Sequence, residues 1–156
     1  MTQKVRMMCF IPAGGLTSGQ MNALESTISG LYQRHFGSNY RLMTVWVSVP
    51  QNQFYLAGQQ SMHCTAQVPV MDGLPDHLRH AFMRESCEAW MKITGCSRNQ
   101  IIFSSPDLSY AKENMKQLAG RVRRPQRVIT AARLLLRLLN SKLRHGHLSV
   151  SVNISN

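Results

Sequence analysis

The sequence predicts an α+β protein: two consecutive βαβ units forming a four-stranded sheet with two helices on one face, plus a basic C-terminal helix and terminal strand. Three observations lead there. A strand–helix–strand pattern occurs twice, with about 36 or 37 residues between corresponding strand starts, which indicates an internal duplication. Glycine and proline punctuate both copies at matching places. The final stretch then changes character, becoming rich in leucine and arginine.

Val5–Ile11 is a nearly unbroken apolar run, suited to a strand buried on both faces, and Pro12 with Gly14-Gly15 ends it. Thr17 followed by Gln20 forms a capping-box pattern. Met21, Leu24, Ile28, Leu31 and His35 recur at helical spacing, so a helix is predicted over Ser18–Phe36, closed by Gly37. Leu42–Val49 reads as a strand with Val45, Val47 and Val49 on one face and Trp46 on the other, stopped by Pro50. Phe54–Leu56 reads as a short edge strand.

The second copy opens with Cys64, Ala66, Val68 and Val70 alternating with polar residues, and turns at Asp72-Gly73. Pro75 suits the first turn of a helix whose apolar face is Leu78, Phe82, Cys87, Trp90 and Met91, ending at Gly95. Gln100–Phe103 is the last strand of the pair. Helical crossovers of this length make each strand pair parallel. With both helices on one face, the other is left apolar and in need of a partner surface.

Net charge is +11, and ten of the 18 Lys and Arg residues lie from Lys112 onward against one acid, Glu113. Basic character therefore belongs to the tail. Pro125 opens a helix carrying Val128, Ala131, Ala132, Leu135, Leu138, Leu139 and Leu143, with Arg133, Arg137 and Arg144 on another face. Leu148, Val150, Val152 and Ile154 then alternate as a terminal strand that must pair with an edge, in its own subunit or another. Residues 1–110 form the expected double-unit domain and 111–156 an appendage packing on it or on a neighbouring subunit. Four cysteines without a CxxC pair, no signal-peptide pattern and no membrane-length apolar run predict a soluble cytoplasmic protein.

The segments "AGGLTSGQ", "RHFG", "NQFYLAGQ" and "EAWMKITGCSRNQIIFSS" together resemble the tautomerase superfamily. The resemblance covers Val5–Tyr110 and is to the fused two-unit type that includes cis-3-chloroacrylic acid dehalogenase and malonate semialdehyde decarboxylase. It implies a homotrimer and a catalytic N-terminal proline, whose amine titrates near neutrality. Alignment on Leu16-Thr17 places Val5 at the proline position, where an internal amide nitrogen cannot serve as a base. The family's helix histidine falls at Tyr32, its carboxylate-binding arginines near Met71 and Leu74, and its water-positioning tyrosine at Ser104. The late acid matches Glu113 loosely, and Tyr110 takes the place of a late aromatic.

The leading expectation is therefore a superfamily protein with little or no usual tautomerase, dehalogenase or decarboxylase activity. One alternative is a weak isomerase or hydratase acting on a small carboxylate, with Arg6, Tyr32, Tyr110 and Glu113 as candidate replacement groups. Another is a non-catalytic binding module using the basic tail. No cofactor or metal is expected. His63 and Cys64 are adjacent and point to opposite faces, while His77 and His80 lack a third ligand. Arg79 and Arg84 are anion-binding candidates discounted as surface charges, and His145 and His147 are discounted likewise. Gly14-Gly15 is a turn, too short for a phosphate loop. The tail helix is expected to pack against a neighbouring subunit, with nucleic acid and lipid or an acidic partner as the alternatives. Polyanion binding should be weak and nonspecific, and single-strand nucleic acid is disfavoured because no aromatic platform interleaves the arginines.

Overall fold

A computed structural model describes residues 2–121 and 124–151 of the chain. The first unit is β1 (Gln3–Pro12), α1 (Ser18–Phe36) and β2 (Tyr40–Val49). The expected capping box forms at the head of α1: Gln20 N–H donates to Thr17 Oγ1 at 3.2 Å, and Thr17 N–H to Gln20 Oε1 at 2.9 Å. Strands β1 and β2 run parallel over their whole length, from Gln3 opposite Tyr40 to Pro12 opposite Val49.

Phe54–Leu56 does not form an edge strand of this sheet. Tyr55–Leu56 (β3) and Gln59–Gln60 (β4) pair with each other as a separate antiparallel hairpin. Ala57 at φ 51° and Gly58 at φ 79° make its two-residue turn, and positive φ at both positions is what a twisted hairpin of this length requires.

The second unit is β5 (Cys64–Gln67), α2 (Asp76–Thr94) and β6 (Ile101–Ser104). Pro75 caps α2, and Gly95 closes it in the left-handed region, its N–H donating to Met91 O at 2.8 Å. Strand β5 ends at Gln67, short of the expected Val70, although Val68 and Val70 remain fully buried. Strands β5 and β6 are parallel, whereas β1 and β5 meet antiparallel at the seam between units. Both helices are 19 residues long, so the duplication is geometric as well as textual.

Leu108–Gly120 forms α3, a helix that the sequence reading leaves unassigned. Arg124–His145 forms α4, and Leu148–Ser151 forms β7. Strand β7 adds in parallel to the free edge of β2, so the sheet has five strands in the order β6-β5-β1-β2-β7. Its pairing is thus within the chain; the further alternation expected at Val152 and Ile154 lies outside the described residues.

Helices α1 and α2 cover one face. Alternation along β1 sends Val5, Met7, Cys9 and Ile11 into this layer, all buried. They meet Leu24, Ile28, Tyr32 and Phe36 of α1 and Phe82 and Trp90 of α2. The fully buried row of α1 ends in Tyr32 and Phe36, with the expected Leu31 partly buried against the same core and His35 beside Phe36 and Phe82. Trp46 packs on Trp90 with ring centroids 5.9 Å apart. Truncating either to alanine should cost about 3–5 kcal/mol.

The other face carries Arg6, Met8 and Phe10 of β1, Met43, Val45 and Val47 of β2, and Ile102 of β6. Phe10 and Ile102 stay more than a third exposed there, while Val47 is buried and α3 borders a cavity beside Met8 and Met43.

Candidate functional site

Val5 is the third residue of β1, and the strand continues ahead of it: Gln3 pairs with Tyr40, Lys4 with Arg41, and Gln3 N–H donates to Asn39 O at 2.8 Å. Its nitrogen is a backbone amide inside a strand. The Val5 side chain is 1% exposed and belongs to the same core as Tyr32, with Met71 and Leu74 packed against that core.

Both phenols beside these positions are occupied. Tyr32 Oη donates to Pro69 O at 3.0 Å, and Tyr40 Oη donates to Met71 Sδ at 2.6 Å. Edge-on contacts with Phe36, Tyr40 and Phe82 enclose the Tyr32 ring. Burial, with a smaller contribution from Tyr40, pushes its phenol well above the ordinary tyrosine range, so it holds its proton. These four positions form a packed aromatic and aliphatic core.

The remaining candidates lie elsewhere. Ser104 ends β6 opposite Gln67, which shares the bare sheet face with Met8. Its carbonyl accepts from Val68 N–H at 2.9 Å. Tyr110 is 60% exposed on α3. Glu113, also exposed, accepts from Gln117 at 3.3 Å and lies 3.9 Å from Lys116 Nζ. Arg6 is exposed on the bare face and borders a cavity of about 390 Å³ at the head of β1. Val5, Met8, Met43, Pro69, Leu108 and Met115 give that cavity an apolar lining, with Lys4, Arg6 and Lys112 as cations and Gln67 as an amide. Such a lining suits a small molecule with one apolar body and one anionic group. Neither Tyr110 nor Glu113 borders it.

A second cavity of about 270 Å³ lies at the same end of the sheet, lined by Lys4, Glu25, Arg41, Thr44, Lys142 and His147 among others. Sequence reading passed over Glu25. It follows Leu24 on α1 and accepts from Trp46 Nε1 at 2.9 Å. Burial raises its carboxyl above the ordinary range, opposed by that hydrogen bond and by the Lys142 charge. His147 is 3% exposed, with Nδ1 3.3 Å from Asn22 Oδ1, and burial lowers its imidazole. The signal available for Glu25 was a carboxylate one turn after Met21, beside the apolar row.

The other histidines and arginines have structural surroundings. His63 is buried edge-on to Phe54 with ring centroids 5.0 Å apart. Burial and the nearby Cys96 push the Cys64 thiol up to about 11, which leaves little nucleophilic thiolate at neutral pH. Arg79 donates to Ser105 O and to Asp107 Oδ1, each at 2.6 Å, fastening α2 to the start of α3. His77, His80 and Arg84 are exposed. Among the described residues, no group of three or more His, Cys, Asp or Glu side chains is placed to hold a metal ion. No helix among them is long and apolar enough to cross a membrane.

Solved structures of fused 4-OT proteins and of a cis-3-chloroacrylic acid dehalogenase family member share this fold. Native Ps01740 aligns with a TM-score of 0.63 and 21% identity over 66% of this chain and 93% of its own. N1, a member of the cis-3-chloroacrylic acid dehalogenase family, aligns at 0.62 with 9% identity over 66% and 74%. A fused 4-OT solved as a symmetric trimer aligns at 0.56 with 15% identity over 66% and 85%. No family model matches the sequence, and no curated protein matches it.

Proposed function

We propose that this chain is a tautomerase-fold protein without the proline-dependent chemistry, binding a small carboxylate at the head of β1 in place of the usual turnover. The observation that carries this reading is the burial of Val5 and Tyr32 in one core, with Met71 and Leu74 packed against it. At the positions where the resemblance puts base, helix histidine and anion clamp, there is neither a titratable nitrogen nor a cation. Lys4, Arg6 and Lys112 around the neighbouring apolar cavity supply the carboxylate preference.

Assembly as a homotrimer is part of this proposal, as is the division into a double-unit domain and an appendage from about residue 111. Its support is the bare sheet face and the trimers of the fused 4-OT structures that share the fold. The free thiols suit a reducing cytoplasm.

Steady-state assays with phenylenolpyruvate and 3-chloroacrylate test the central statement. The unmodified chain should turn both over far more slowly than family members with the N-terminal proline. Removing residues 1–4 and replacing Val5 by proline should restore at most weak activity, because Met71 and Leu74 cannot orient the substrate. Robust turnover by the unmodified chain would sink the proposal. A weak isomerase or hydratase is the second reading, favoured by the cavity beside Arg6. It requires turnover that falls with Arg6→Ala, whereas simple binding requires only that affinity for a small carboxylate fall.

A further inference from the structure

We propose that α4 is a membrane-surface element, laying its apolar side on a bilayer that contains anionic lipid while its arginines engage the headgroups. The surface is separate from the carboxylate cavity and from the bare face of the sheet. Its position follows from β7. Ser141 Oγ donates to His147 O at 3.1 Å and accepts from Ser149 N–H at 3.2 Å. Ser149 lies opposite Trp46, whose ring meets Trp90 of α2, so α4 is fastened on the helix-bearing side.

Along α4, 22 residues and about 33 Å, the side chains sort into three rows. Leu138 and Ser141 turn toward the body and are the only described side chains of α4 even partly withdrawn from water, with Leu134 on the same row but 43% exposed. Val128, Ala132, Leu135, Leu139 and Leu143 form an outward apolar row, with Ile129 and Leu136 beside it. Exposures there are 71% at Val128, 58% at Leu135, 50% at Leu139, 86% at Leu143 and 67% at Leu136. Thr130, Arg133, Arg137, Asn140 and Arg144 form the third row without an acid. An apolar row flanked by a cationic one is the pattern of a helix lying in a lipid interface.

Charge decides between occupants. A second copy of this chain is a poor one: five of its seven acids already have partners, Glu25 with Trp46, Asp72 with Ser109, Glu85 with Arg34, Asp107 with Arg79 and Glu113 with Lys116. Duplex DNA would satisfy the arginines and leave the leucines in water. A bilayer with anionic headgroups satisfies both rows.

Co-sedimentation of the full chain with vesicles of phosphatidylcholine, alone or mixed with phosphatidylserine, tests this. The protein should pellet with the mixed vesicles only. Replacing Arg133, Arg137 and Arg144 together by glutamine should weaken partition on the order of a hundredfold, about one factor of five per charge. Leu135→Glu with Leu139→Glu should abolish it at unchanged salt. Near-ultraviolet circular dichroism checks that these variants stay folded. A Leu139→Trp variant gives an independent readout: its emission should shift to the blue on mixed vesicles, since Trp46 and Trp90 are already buried and report nothing. Absence of pelleting, equal binding to phosphatidylcholine alone, or binding that survives the glutamates would overturn the proposal. So would a fall in sedimentation mass caused by the glutamates without vesicles, which would mean that another copy covers the row.

Discussion

Tyr32 stands where the resemblance puts a catalytic histidine, and its hydroxyl is committed to a backbone carbonyl. Tyr32→Phe therefore leaves Pro69 O buried without its donor and should cost about 1–2 kcal/mol in urea unfolding. Glu25 gives a pH signature. Its folded carboxyl titrates above the ordinary glutamate range, so ionising it opposes folding. That penalty is absent below the unfolded value, grows as pH rises toward the folded value, and is complete above it. Glu25→Gln keeps an acceptor for Trp46 Nε1 and removes the charge. Relative to wild type, the variant should gain stability between about pH 4 and neutrality; an unfolding series with a constant difference across that range would contradict it. The spacing of Tyr32 and Phe36 was readable as an apolar row, but the aromatic enclosure of Tyr32 was not. Closure depends on Phe82 and Met71, which arrive from the other unit.

At the level of elements, the caps and breaks were the legible part. Thr17 and Gln20, Pro75 and Gly95 act through neighbours a few residues away, so a single sequence contains the whole interaction. Helix α3 escaped because its row of Leu108, Ala111, Met115 and Leu118 is interrupted by charges and exposed over its second half. The hairpin at Tyr55 escaped because residues 57 and 58 take positive φ through an alanine, which rarely signals such a turn. Two helical glycines should respond with opposite signs. Gly95→Ala places a side chain at φ +75° and should destabilise by about 1 kcal/mol. Gly30→Ala lies inside α1 with nothing within 4 Å of the added carbon and should stabilise by about 0.5–1 kcal/mol. Denaturant midpoints of the two variants check both signs.

For the molecule as a whole, the bare sheet face makes self-association the expected state. Sedimentation at micromolar concentration should show a trimer, and Phe10→Lys should shift it toward monomer without unfolding the chain. A wild-type monomer would remove the reason for that face to be apolar. The arrangement of strands carries a last consequence for handling and turnover of the protein. The two ten-residue strands, β1 and β2, lie inside the sheet, and its rims are β6 and β7 with four residues each. Short rims are poor templates for a foreign strand. Only β7 and its helix keep β2 from being a rim, and they are joined through exposed Gly146. A protease nick there would release a four-residue guard from a valine-rich edge. The clipped chain should then seed fibrils or precipitate under conditions where the intact one stays dispersed, which light scattering after limited proteolysis would record.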